Sequence, residues 1–71
     1  MKHDQMTVNT FAAAWLVVNS ICATASRRQL KRESERAGCP VWRVSSSKVY
    51  ERADRLDVVI GDHVSLCILI G

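Results

Sequence analysis

The sequence predicts an α+β domain, with two or three helices packed on a small antiparallel sheet that ends in a β-hairpin. Three observations carry this expectation. Near the N-terminus apolar residues recur three and four apart, the spacing of one helix face. A charged, helix-forming stretch follows, closed by Gly38 and Pro40. The last stretch is apolar and β-branched, with Gly61-Asp62 as a turn in its middle. At 71 residues and 48% hydrophobic side chains, the chain has material for one core, and residues 1–71 read as a single domain with 1–6 as a disordered tail. So short a chain buries only about 60% of the surface its unfolded form exposes, which leaves its stability thin.

Val8, Phe11, Trp15, Val18, Cys22 and Ala25 define the first stripe, and Leu16, Val17 and Ile21 widen it, so a largely buried helix is expected from about Thr7 to Ala25. Thr24-Ala25-Ser26 is where it would break from a second helix, which runs from Ser26, a suitable N-cap, to Ala37. Leu30, Ser34 and Ala37 form its narrow inner stripe; Lys31 can pair with Glu35, and Glu33 with Arg36, for a few tenths of a kcal/mol each. Gly38 accepts the left-handed terminal conformation and Pro40 prevents continuation. Val41-Trp42-Arg43-Val44 suits a brief strand. Ser45-Ser46-Ser47 offers N-caps for a third helix from Lys48 to about Leu56, with Val49, Ala53 and Leu56 inward and Glu51 set to pair with Arg55. Val58–Ile60 and Val64–Ile70 then form the hairpin; the last strand is apolar on both faces, so it is central or pairs with another chain.

Cys22, Cys39 and Cys67 are odd in number and include no C-x-x-C pair, which favours free thiols in a reducing cytoplasm over a secreted disulfide framework. A metal site from Cys39, His63 and Cys67 is disfavoured, because His63 and Cys67 on one strand would stand about 13 Å apart at ~3.3 Å per residue. Phe11–Val18 resembles the apolar region of a signal peptide and Ala23-Thr24-Ala25 a cleavage site, but Asp4 balances Lys2, and Asn19 and Ser20 interrupt the run. Eight unbroken apolar residues fall far short of the roughly 18 a membrane span needs. A cytoplasmic protein without membrane association is the expectation.

Charge is the most informative feature. Between Ser26 and Arg55 stand nine basic residues against four acids, a net +5; the remainder carries one Lys against three Asp. A basic middle between weakly acidic ends is the footprint of nucleic-acid binding, where neutralised phosphates supply most of the affinity. The bland alternative is a pair of solvated helix faces with interleaved Glu.

Leu30, then Ala37-Gly38 closing the second helix, then Val49, Ala53 and Leu56 in the third, followed by the hairpin, resemble the winged helix-turn-helix DNA-binding domains of small phage and bacterial regulators. In that family a small or apolar residue usually sits where Ser34 is, and three or four residues join the helices; here eight intervene, Cys39 to Ser46. The resemblance implies transcription regulation in a phage or prophage setting, a recognition helix beginning at Ser46, and a wing tip at Asp62-His63. It implies groove-facing roles for Ser47, Lys48, Tyr50, Glu51, Arg52 and Arg55, with guanine contacts from Arg and phosphate contacts from Ser and Lys. Arg27, Arg28 and Lys31, at the start of the second helix, would meet phosphate, and Arg32 and Arg43 complete the candidate DNA-binding set.

Catalysis finds little support. Ser45–Ser47 lack a nucleophile elbow, and no second His stands in a triad relation to His63. Asp54 and Asp57 are better read as balancing Arg52 and Arg55 than as a carboxylate pair. Trp15 and Trp42 read as core anchors. No nucleotide, flavin or haem motif is present, and neither a cofactor nor a metal is expected. The competing class is a small inhibitor or adaptor from a mobile element, dimerising through its apolar first helix or last strand. A homodimer would equally suit a DNA binder reading two half-sites.

Overall fold

The structure, a computed structural model, describes residues 4–23 and 26–71. Among these residues it is α+β, with two helices and one six-stranded mixed sheet. The elements are β1 (Asp4–Val8), α1 (Phe11–Cys22), β2 (Arg28–Gln29), α2 (Lys31–Ala37), β3 (Val41–Val44), β4 (Ser47–Glu51), β5 (Arg55–Ile60) and β6 (His63–Ile70). Strands lie in the order β1-β6-β5-β4-β3-β2, with β1 parallel to β6 and every other pairing antiparallel. β1 and β2 therefore occupy opposite edges, five inter-strand steps of about 4.8 Å apart. The connection between them must cross the sheet, and α1, twelve residues and about 18 Å long, supplies most of that crossing.

Thr10 starts α1, its Oγ1 accepting the Ala13 amide hydrogen at 3.0 Å, and Ala23 ends it in the left-handed region at φ 52°. The predicted helix is thus four residues shorter at its start, and Val8 of its stripe belongs to β1. At the other end, Thr24 and Ala25, the expected break, lie outside the described residues. Ala14, Trp15 and Val18 pack on Val44, Val49, Leu56, Val58 and Ile68 to form the core. Trp15 and Trp42 meet edge to face, centroids 6.1 Å apart, as core anchors. Trp42 Nε1 donates to Glu51 Oε1 at 2.9 Å, so Glu51 serves the sheet rather than pairing with Arg55.

Three expectations are corrected. Residues 4–6, read as part of a disordered tail, belong to β1, which pairs with the last strand from Asp4 opposite Leu66 to Val8 opposite Ile70. The second helix begins only at Lys31; Arg28 and Gln29 are an edge strand opposite Arg43 and Trp42. The third helix does not form: Lys48–Leu56 is β4, a bend at 52–54 and the start of β5. Ser45, the supposed cap, instead turns the β3–β4 hairpin at φ 57°. The chain alternates there with period two, Ser47 and Val49 buried beneath α1, Lys48 and Tyr50 half-buried on the reverse side. Ala53 of the supposed inner stripe is exposed in the bend.

The C-terminal hairpin forms as expected, Ile60 opposite His63 across Gly61-Asp62, with Gly61 at φ 68°. β6 is an interior strand, as expected, paired with β5 on one side and β1 on the other. Gly38 closes α2 at φ 73°, its amide hydrogen bonding Ser34 O at 2.9 Å. Ser34 also fastens α2 to the sheet: its hydroxyl donates to Leu30 O at 2.7 Å and accepts from the Val41 amide at 2.8 Å. Among the described residues, no helix is long and apolar enough to cross a membrane.

Candidate nucleic-acid interface

Alternation along each strand divides the basic residues between the two faces of the sheet. Trp42 and Val44 face α1, so Arg43, between them, points to the reverse face. Register then decides the rest. Arg28 stands opposite Arg43, and Arg43 opposite Lys48, on three consecutive strands. Cβ atoms at directly opposed positions lie about 5 Å apart, so three cations form one row across the sheet. Like charges so placed repel and destabilise the pairing. Among the described residues only Glu33, on α2, answers them, its Oε1 3.8 Å from Lys48 Nζ, both side chains about a third exposed. Among the described residues neither Arg28 nor Arg43 has an acidic partner.

α2 lies against β3 on this reverse face, over buried Val41, and adds to the same side. Lys31, Arg32 and Arg36 are exposed on it and hold no ion pair among the described residues; the predicted Lys31–Glu35 and Glu33–Arg36 pairs are not formed. A shallow hollow of about 320 Å³ between α2 and β4 is lined by Glu33, Arg36, Ala37, Lys48 and Tyr50.

The other predicted site residues part company with this row. Arg27 lies over Trp15 at 3.9 Å and Trp42 at 4.7 Å, so its guanidinium covers the aromatic pair on the α1 side. Ser47 is buried beneath α1, away from the cations. Arg52 Nε donates to Asp57 Oδ2 at 2.8 Å while its guanidinium lies over Tyr50, and this hydrogen bond holds the Arg52 pKa above its ordinary value. Arg55 Nε bonds Asp54 Oδ1 at 3.1 Å, which raises the arginine and lowers the aspartate. The recognition helix expected from Ser46 is absent, so Ser47, Lys48, Tyr50, Arg52 and Arg55 present no common helical surface. His63 meets Asp62 at 3.4 Å at the β5–β6 turn, on strands remote from β3.

Residue type had marked Arg28, Arg43 and Lys48 individually; their opposition is visible only in the register. Arg36 was missed as a site residue, though its place near the end of α2 follows from Gly38. Cys22, Cys39 and Cys67 are free thiols, and no three of the described His, Cys, Asp and Glu side chains come together as a metal site. Comparison with known protein families, with characterised proteins and with solved structures returns no match to this chain.

Proposed function

We propose that this protein is a small regulatory DNA-binding protein that holds duplex DNA by its phosphate backbone on the sheet face opposite α1. The observation that carries the reading is the row Arg28–Arg43–Lys48, with Lys31, Arg32 and Arg36 of α2 on the same side. Like charges opposed on three adjacent strands cost folding stability, and an anionic partner converts that cost into affinity. Cations spread on a sheet meet phosphates and read no base edges, so binding is largely sequence-independent.

The test is fluorescence anisotropy with labelled duplexes across a salt series. Log affinity should fall linearly with log salt, and R28A/R43A/K48A should reduce that slope by about 3, at ~0.9 per phosphate contact. R52A and R55A, whose guanidiniums already hold carboxylates, should change it little. No binding at low salt, or a slope unmoved by the triple substitution, would overturn the reading. A second reading, a protein-binding inhibitor or adaptor that dimerises through the first helix, draws on the exposure of Leu16 (70%) and Ile21 (62%). Such an apolar contact would be nearly indifferent to the same salt series.

A further inference from the structure

On the opposite side of the sheet from the cations, a cavity of about 550 Å³ opens between the second half of α1, the start of β1, and the ends of β5 and β6 nearest their turn. Its size falls within the roughly 300–1,000 Å³ of small-molecule sites. Met6, Val17, Ile21, Ile60 and Leu66 supply apolar wall. Three of these, Met6, Ile21 and Ile60, are among the four large apolar side chains exposed among the described residues, so unburied hydrophobic surface is gathered at this opening.

The second observation is polar. Ser47 lines the cavity and is only 4% exposed, yet its hydroxyl makes no hydrogen bond to another described residue. The other serine of the wall, Ser65, is satisfied, its hydroxyl donating to Val58 O at 3.2 Å. The Ser47 hydroxyl, reached by solvent through the cavity, is left without a protein partner among the described residues, and a ligand oxygen or N–H placed against it replaces water there with a direct hydrogen bond, for about 1 kcal/mol. Asp4 is the one charged side chain in the described wall, so an anion would be repelled, and the apolar lining penalises any charge brought inside.

We propose that this cavity binds a compact, uncharged apolar molecule bearing one hydrogen-bonding group, the apolar body lying against Met6, Val17, Ile21 and Leu66 and the polar group meeting the Ser47 hydroxyl. The proposal is independent of DNA binding, because the cavity and the cationic row lie on opposite faces of the sheet.

The experiment uses 2-naphthol and naphthalene as probes, followed through the methyl NMR signals of Val17, Ile21, Ile60 and Leu66. Both probes should shift those signals, with 2-naphthol binding the more tightly. S47A should weaken 2-naphthol about fivefold, to the level of naphthalene, while leaving naphthalene unchanged. Unaltered naphthalene binding also reports that the cavity of the variant is intact. The proposal falls if neither probe moves these methyl signals, or if S47A leaves the preference for 2-naphthol as it was. It falls equally if the same signals move on dilution without a probe, which would make the cavity an interface between two copies of the chain.

Discussion

The two faces of the one sheet obey different rules. Toward α1 the strands present Trp42, Val44, Val49, Leu56, Val58 and Ile68, and the helix completes a dry core around them. Away from α1 the same strands present Arg28, Arg43, Lys48, Tyr50, Arg55 and Asp57, partly covered by the short α2. The first face is organised by burial. On the second, Arg52–Asp57 and Arg55–Asp54 are neutralised locally, whereas the cations on β2 and β3 are not. Period-two alternation lets one short chain do both, since each strand gives alternate residues to each task. The contrast places most of the apolar core on one side, and lets the other, beside buried Val41 and Cys67, carry charge at a cost.

The sharpest way to break this comparison is a matched pair of truncations. W15A removes a buried ring, its edge-to-face contact with Trp42 and the seat of Arg27, and should cost about 3–5 kcal/mol. In so small a domain that approaches the whole stability. R43A on the opposite face should stay within about 0.5 kcal/mol or stabilise slightly, because it relieves repulsion from Arg28 and Lys48. Urea melts of both variants decide the point.

A smaller effect is expected where the reverse face satisfies itself. D57N weakens the hydrogen bond from Arg52, and because Arg52 is 43% exposed, solvent screening limits the loss to about 1 kcal/mol. Equal losses in D57N and in D54N, whose carboxylate is well exposed, would contradict the difference between a half-buried and an exposed pair.

Cys67, opposite Asp57, gives a pH signature. Burial, then the hydrogen bond to Asp57, pushes its thiol above the ordinary 9.0, so the folded protein keeps the proton that the unfolded chain releases. Stability from this group is complete below pH 9.0 and declines as pH rises beyond it. The urea midpoint of the native chain should fall above that pH more than that of C67A. Alkylation of the intact protein should reach Cys67 later than half-buried Cys22 and Cys39.

The smallest expected effect is at the β3–β4 turn. Ser45 sits at φ 57°, where an L side chain is disfavoured, and S45G should raise stability by about 0.5 kcal/mol in a thermal melt.

What was legible in the sequence was what local chemistry decides. The apolar spacing of Phe11 to Cys22, the stop at Gly38 and the Gly61-Asp62 turn each marked a real element. What escaped was decided by partners distant in the chain. β1 is polar and short, and is a strand only because β6 lies beside it, Asp4 opposite Leu66. Val49, Ala53 and Leu56 fit helical spacing as well as Ser47 and Val49 fit alternation, and so short a window does not separate them; pairing of β4 with both β3 and β5 does. The candidate site followed the same division. Basic residue types were plain, as were Asp54 beside Arg55 and Asp57 near Arg52, which foretold their neutralisation. The alignment of Arg28, Arg43 and Lys48 needed the register.

The most direct test of a DNA-binding face opposite α1 is an amide NMR titration with a short duplex at low salt. The account predicts shifts concentrated at Arg28, Lys31, Arg32, Arg43 and Lys48, with Leu16, Ile21 and Met6 unmoved. Shifts centred on α1 and β1, or none at all, would contradict it.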